Sequence, residues 1–243
     1  LTITFRSFLK HKSTFIINLI GLSTGLASAL FIYLWVQDEL SVDKFHKLDK
    51  QLYQVMLNHE ESGKLNTGED SQALLAEALQ KDVPEITMAI QSTPSVWFGK
   101  MPLSTEERTI KAMGKFADYR YFQMFSFPFL FGNPDTALKD KGGIVISKSL
   151  ADRLFGSADE AMGNILDWQV LEYERELVVT GVFEDLPANS TDDFEFVISF
   201  EVFAEFLTPE SIHWGNYNAQ TYALVAEGTD IEALNAKLKN FVK

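Results

Sequence analysis

Residues 15–36 read FIINLIGLSTGLASALFIYLWV, a stretch without a single charge, and the uncharged run extends from Ser13 to Gln37. As a helix rising 1.5 Å per residue it spans about 33 Å, which matches a bilayer hydrocarbon core of about 30 Å. Tyr33 and Trp35 stand at its C-terminal end, where amphipathic rings favour the membrane interface. It has no polar face, so a membrane span is preferred over the buried helix of a soluble domain. Ala27-Ser28-Ala29 has the small-x-small spacing of a signal-peptide cleavage site. The apolar run nevertheless continues through LFIYLWV, beyond the length of a signal h-region, and residues 14–37 are read as an uncleaved transmembrane helix.

The flanks orient it. Of 21 Lys and Arg, only Arg6, Lys10 and Lys12 precede the first acidic residue, Asp38, whereas all 34 Asp and Glu follow. The positive-inside rule then places the N-terminus in the cytoplasm and the rest outside. Leu1, Phe5, Phe8 and Leu9 follow helical spacing, so residues 1–13 are expected to form a cytoplasmic interfacial segment. Within the span, Gly21, Gly25 and Ala29 recur every four residues and make a small-residue ridge that lets a second helix approach. The chain begins at Leu1 rather than Met, and it is expected to be a piece of a longer protein.

Some 200 residues remain, enough for one large domain or two small ones. The net charge of −13 argues against nucleic acid, because phosphate binding needs a basic surface. There is no cysteine, which excludes disulfides, a thiolate zinc site, a thiol nucleophile and a lipoprotein anchor. The 20 Phe point to aromatic-rich packing.

Periodicity gives a coarse map. Residues 51–58 read as a strand, 58–70 as a loop, 71–83 as a helix stopped by Pro84, and 85–93 as a strand. Strands follow at 108–115 and 142–146, with helices at 119–125 and 147–155, the latter ended by Gly156. Residues 165–172 and 176–183 read as a hairpin. A strand at 194–200, a helix at 201–207, a strand at 221–226 and an amphipathic helix at 230–242, capped by Asp230 or Thr229, complete an α+β order.

No catalytic set emerges. Gly21-Leu22-Ser23-Thr24-Gly25 matches G-x-S-x-G, but it lies inside the membrane helix and not on a strand-to-helix elbow. His11, His46, His59 and His213 form no ligand spacing. Glu60-Glu61, Glu69-Asp70 and Asp192-Asp193 read as solvated carboxylates, and no phosphate-binding glycine loop exists. No cofactor, no metal and no enzymatic activity are expected.

Four segments, in order, carry a resemblance: NLIGLSTGLASALFIYLWVQDELSVDKFHKLDKQLYQV, ADYRYFQMFSFPFLFGNPDTAL, IVISKSLADRLFG and VVTGVFEDLPANSTDDFEFVISF. Together the chain resembles the MacB/FtsX-type ABC transporter permeases in their Bacteroidetes-like form. The resemblance implies a periplasmic β-α-β (porter-like) part, residues 38–94 and 188–243, with residues 95–187 inserted as a mixed α/β subdomain. It implies an inner-membrane location and a non-catalytic role in transmitting ATP-driven motion, for export or extraction of a peptide, antibiotic or lipoprotein. It also implies an ABC ATPase subunit, a second permease copy as homodimer or a related permease, and a periplasmic adaptor or outer-membrane partner. The alternative is the ectodomain of a membrane-anchored sensor or of a cell-wall hydrolase regulator. Trp97, Phe98, Phe127, Phe129 and Phe131 are candidate partner contacts; core packing is the competing reading. Asp185-Leu186-Pro187 and Asn189-Ser190 are expected to shape a turn.

Overall fold

The computed structural model describes residues 12–61, 63–207 and 209–242. The expected interfacial residues Leu1, Phe5, Phe8 and Leu9, together with His11, lie outside the described residues, as does the side chain of His59. The chain divides into two compact units, Leu1–Asp43 and Lys44–Lys243.

In the first unit, α1 (Lys12–Ser41) is a continuous 30-residue helix with no buried residue. Among the described residues it is the one helix long and apolar enough to cross a membrane. Ser23 therefore sits in regular helix, and the Thr24 hydroxyl is satisfied locally by the Ile20 carbonyl at 2.8 Å.

The second unit begins with β1 (Leu52–Val55), β2 (Leu57–Glu61), β3 (Lys64–Gly68), β4 (Asp70–Ser71), α2 (Leu75–Asp82) and β5 (Ile86–Ser92). Next come β6 (Lys100–Ser104), β7 (Thr109–Ala117), α3 (Tyr121–Met124), β8 (Phe129–Gly132), β9 (Gly143–Ser147), α4 (Lys148–Phe155) and α5 (Ala158–Ala161). The last are β10 (Ile165–Val170), β11 (Tyr173–Phe183), β12 (Phe196–Ser199), α6 (Phe200–Phe206), β13 (Ala219–Val225) and α7 (Ile231–Leu238). The order is α+β, as expected.

The main sheet runs β1-β13-β5-β7-β12-β9-β11-β10-β6, and β6 then pairs back onto β7. Lys100↔Met113 through Ser104↔Thr109 make that return, while Leu103 and Ser104 pair with Trp168 and Asp167 of β10. Strands β7, β12, β9, β11, β10 and β6 thus close into a six-stranded barrel. Strand β10 shows how: Leu166, Trp168 and Val170 are buried while Ile165, Asp167 and Gln169 are exposed, the period of two that one buried face demands. The inward residues Met101, Leu103, Phe116, Ile144, Ile146, Leu166, Trp168, Leu177, Phe196 and Ile198 form one cluster. Gly114 belongs among them for a steric reason: a methyl group there would lie 2.1 Å from the Phe196 ring.

Strands β1, β13 and β5 form a second, open part. Leu75, Ala76 and Leu79 of α2 and Leu234 of α7 cover one face against Ala89, Ala223 and Val225. This part meets the barrel through a single registered pair, Ser92↔Ala117. Between the two lies an aromatic cluster with Ile90 and Leu224 from the open part, Val145, Val197 and Phe183 from the barrel wall, and Tyr121, Phe122, Phe125, Phe127 and Phe194 from the connections. Strands β9 and β12 are consequently buried on both faces.

Three sequence expectations are corrected. Residues 58–70 are not a loop, because β2 and β3 pair from Leu57↔Gly68 to Glu61↔Lys64 as a separate hairpin. Its described positions are largely exposed, so it carries no apolar alternation to read. Ser71 does not open a helix: its hydroxyl lies 2.8 Å from that of Thr221, and α2 starts only at Leu75. Strands β6 and β8 were not expected. Pro102 argues against a strand at β6, yet pairing to β10 begins only after it, at Leu103.

Candidate functional site

Two places in this molecule could carry function without chemistry: the surface of α1, and the packing that joins chain connections to the two parts of the ectodomain.

On α1, Gly21, Gly25 and Ala29 lie exposed, and a methyl group at either glycine would meet nothing within 4 Å. Among the described residues nothing packs on the two glycines of the ridge, and its small residues leave backbone open to a neighbouring helix.

In the ectodomain the five candidate aromatics separate. Phe127 is buried in the aromatic cluster, and Phe129 packs against it with its ring 4.8 Å from Phe122. Phe98 packs on the barrel core, 5.2 Å from the Phe116 ring. Trp97 and Phe131 are each 39% exposed and stand beside exposed Val96 and Leu130 respectively. Core packing thus claims Phe127 outright, and Trp97 and Phe131 are the ones presented to solvent.

Polar links fasten the connections down. Lys115 of β7 is buried and pairs with Asp192, and its ammonium also sits 5.1 Å from the Tyr121 ring and 5.4 Å from the Phe194 ring. Ser95 reaches the same carboxylate at 3.4 Å. Glu195 pairs with Arg153 of α4. These contacts hold residues 184–195 against the barrel wall. Within that segment the Ser190 N–H donates to the Pro187 carbonyl at 3.0 Å, a turn, and Asp185 accepts from the Ser149 N–H at 3.0 Å.

The narrow junction has its own fastening. Arg120 donates through Nε and Nη2 to both oxygens of Asp118, through Nη1 to Gln80 of α2 at 2.7 Å, and through Nη2 to the Ala89 carbonyl of β5 at 3.0 Å. The hydrogen bond to Asp118 raises the guanidinium pKa against the cost of burial. A depression of about 450 Å³ opens beside it, lined by Glu77, Gln80, Lys81, Gln91, Asp118 and Arg120. Because Arg120 already spends all three nitrogens on the fold, the depression offers no free guanidinium to an anion.

The residues that follow α1 in sequence are also fixed. His46 is buried, and its Nδ1 accepts from the Ser126 N–H at 3.2 Å, while the Lys47 N–H donates to Ser126 Oγ at 3.1 Å. Neither His46 nor Lys115 stood out in the sequence as functional. Lys115 had a signal, a lone cation inside the alternating run AMGKFA, whereas His46 sits in the polar string SVDKFHKLDK and had none.

Among the described residues no cluster of three or more His, Asp or Glu converges as a metal site. A helix of membrane-spanning length thus precedes an α+β domain built from a closed barrel and an open sheet. The family model of the MacB-like periplasmic core domain matches residues 15–241, and the chain belongs to that family. Solved structures with the same fold include a domain described as that of a permease from Porphyromonas gingivalis, with TM-score 0.65 and 23% identity over 81% of this chain and 84% of that one. The periplasmic region of MacB from Actinobacillus actinomycetemcomitans aligns with TM-score 0.57 and 14% identity over 81% and 84%. The extracellular domain of the noncanonic ABC-type transporter YknZ from Gram-positive bacteria aligns with TM-score 0.50 and 14% identity over 77% and 93%. No curated protein sequence matches the chain.

Proposed function

We propose that this chain is the first membrane helix and periplasmic domain of an inner-membrane ABC transporter permease, and that it passes ATP-driven motion across the membrane to export or extract a peptide, an antibiotic or a lipoprotein. The observation that carries the reading is the family match running unbroken from residue 15, inside α1, to residue 241. In this reading the N-terminus is cytoplasmic, ATP is hydrolysed on a separate ATPase subunit, and a second permease copy or a related permease completes the pair. An adaptor or outer-membrane protein would meet the ectodomain, with exposed Trp97 and Phe131 as its contacts. Residues 38–94 with 188–243 act as the porter-like part and 95–187 as the inserted part. The ridge Gly21, Gly25 and Ala29 packs against another membrane helix.

The test is motion. The full-length protein, carrying a spin label at Glu107→Cys in a lipid bilayer with its ATPase, is paired with a labelled second copy or a labelled related permease. The distance between the two ectodomains is expected to change on ATP binding; a distance blind to nucleotide defeats the proposal. Gly21→Leu with Gly25→Leu is expected to weaken subunit association in detergent, and unchanged association would reject the ridge as a packing surface.

A further inference from the structure

A motion that starts in the membrane reaches the ectodomain through covalent chain, and only Val42 and Asp43 separate the end of α1 from Lys44. What Lys44 to Gln51 does next therefore decides whether displacement of the chain is absorbed or passed on. A slack segment would absorb it. This one is held: the Asp49 N–H donates to the His46 carbonyl at 3.2 Å, the Gln51 N–H to the Leu48 carbonyl at 2.9 Å, and Phe45, Leu48 and Leu52 pack on the aromatic cluster.

The centre of the attachment is Phe45-His46. The two rings lie 4.1 Å apart and enter the cluster together, with Phe45 5.9 Å from Phe127 and His46 5.2 Å from Phe125 and 5.1 Å from Phe127. The bonds between His46-Lys47 and Ser126 are reciprocal: Ser126 donates its N–H to His46 Nδ1 and accepts the Lys47 N–H on its hydroxyl. Protonation at Nδ1 is incompatible with the first bond, so this ring carries its accepting lone pair there.

The two rings that His46 touches lead to different places. Phe125 meets Tyr222 of β13 edge-on at 5.1 Å, in the open sheet. Phe127 meets Phe194 at 5.5 Å and Phe183 of β11 at 6.2 Å, on the barrel wall. Displacement of the exit segment thus acts on both parts of the ectodomain at once, through close-packed rings that transmit strain and do not flow around it.

We propose that Phe45 and His46, locked onto Ser126, form the plug through which movement of the membrane helix is delivered to the ectodomain and divided between its barrel and its open sheet. Both residues are positioning residues. The proposal rests on the motion-transmitting reading above, and its test separates the two. Wild type, His46→Leu, Ser126→Ala, the combined His46→Leu/Ser126→Ala and His46→Asn are compared in the full-length protein with its ATPase, each carrying the Glu107→Cys label. His46→Leu fills the ring's place with an apolar side chain and removes the acceptor, Ser126→Ala removes the other bond, and His46→Asn replaces the ring but restores an acceptor near the Nδ1 position.

The nucleotide-dependent distance change is expected to be lost in the combined His46→Leu/Ser126→Ala variant and to return only in part in His46→Asn, which restores the acceptor but not the ring that meets Phe125 and Phe127. ATP hydrolysis and the slow amide exchange of the barrel residues Ile144 and Val197 are expected to stay at wild-type level, which a variant that merely unfolds could not show. If the combined variant moves as wild type does, the plug is refuted while the transmitting function stands. If wild type itself shows no nucleotide-dependent movement, the transmitting function fails and the plug falls with it. Lost amide protection at Ile144 and Val197 in the combined variant would make Phe45-His46 a folding element, and would equally overturn the proposal.

Discussion

The barrel and the open sheet are built from the same kind of strand but are stabilised differently. The barrel has no free edge: β6 and β7 close it, and its side chains fill their own interior. The open sheet has an edge at β1 and depends on α2 and α7 to cover one face. Backbone pairing between the two is confined to Ser92↔Ala117 and the flanking bonds from Thr93 N–H to the Phe116 carbonyl and from Asp118 N–H to the Gln91 carbonyl. What holds them together is therefore side-chain packing in the aromatic cluster and a few polar fastenings. A joint of that kind can be loosened without dissolving either part.

The strongest way to break the comparison is to unfasten the barrel wall. Asp192→Ala strands the buried Lys115 ammonium among Tyr121 and Phe194, and an uncompensated buried charge costs about 3–5 kcal/mol. Urea unfolding is expected to show that loss, and adding Lys115→Met is expected to return most of it. A loss below about 1 kcal/mol would mean the ammonium finds water without its partner.

Gly114→Ala attacks the barrel from inside. The new methyl must displace the Phe196 ring, and overpacking of this kind costs about 3 kcal/mol. Gly228, between β13 and α7, is the matching probe of the open part. Its φ is +81° with nothing within 4 Å, so Gly228→Ala meets only backbone strain, about 1 kcal/mol. Equal denaturation midpoints for the two variants would show that the barrel interior yields as easily as a surface turn.

Arg120→Gln loosens the junction itself. It removes the guanidinium that spans Asp118, Gln80 and Ala89 and leaves the Asp118 carboxylate without its cation, at about 2 kcal/mol. Amide exchange at Thr93 and Asp118 is expected to quicken more than at Val197. Uniform acceleration would mean that the two parts unfold as one.

How much of this the sequence disclosed follows from what local pattern can carry. The apolar run of α1 and the alternation of β10 were legible because one residue's environment repeats at a fixed interval. Gly156 announced the end of α4, with φ +97°, whereas Ser147, read as the first helical residue, is its N-cap and accepts from the Leu150 N–H at 3.3 Å. Barrel closure was not legible, since it depends on β6 meeting both β7 and β10, which no window along the chain contains. The roles of His46 and Arg120 were hidden for the same reason: His46 finds Ser126 80 residues away, and Arg120 finds Gln80 40 residues away.

Acid provides the mildest probe, and it treats the two parts alike. Glu205 of α6, on the barrel, is held below the ordinary glutamate range first by the hydrogen bond from Lys141 and, against some desolvation, by Arg175. Glu85, beside β5 in the open sheet, is lowered by its hydrogen bond with Lys237 of α7. A carboxylate with a depressed folded-state pKa contributes stability that is complete above its unfolded value of about 4.3 and is lost as the pH falls through the lower folded value. Glu205 is more than a third exposed, so solvent screening limits its share to under ~1 kcal/mol. The difference in urea midpoint between wild type and Glu205→Gln should therefore be constant from neutral pH to about pH 5 and close in stronger acid, with the same shape for Glu85→Gln. A Glu205→Gln difference that persists undiminished at pH 2 would show that the carboxylate acts through its packing on α6 and not through its charge, and the barrel would then owe nothing to that ion pair.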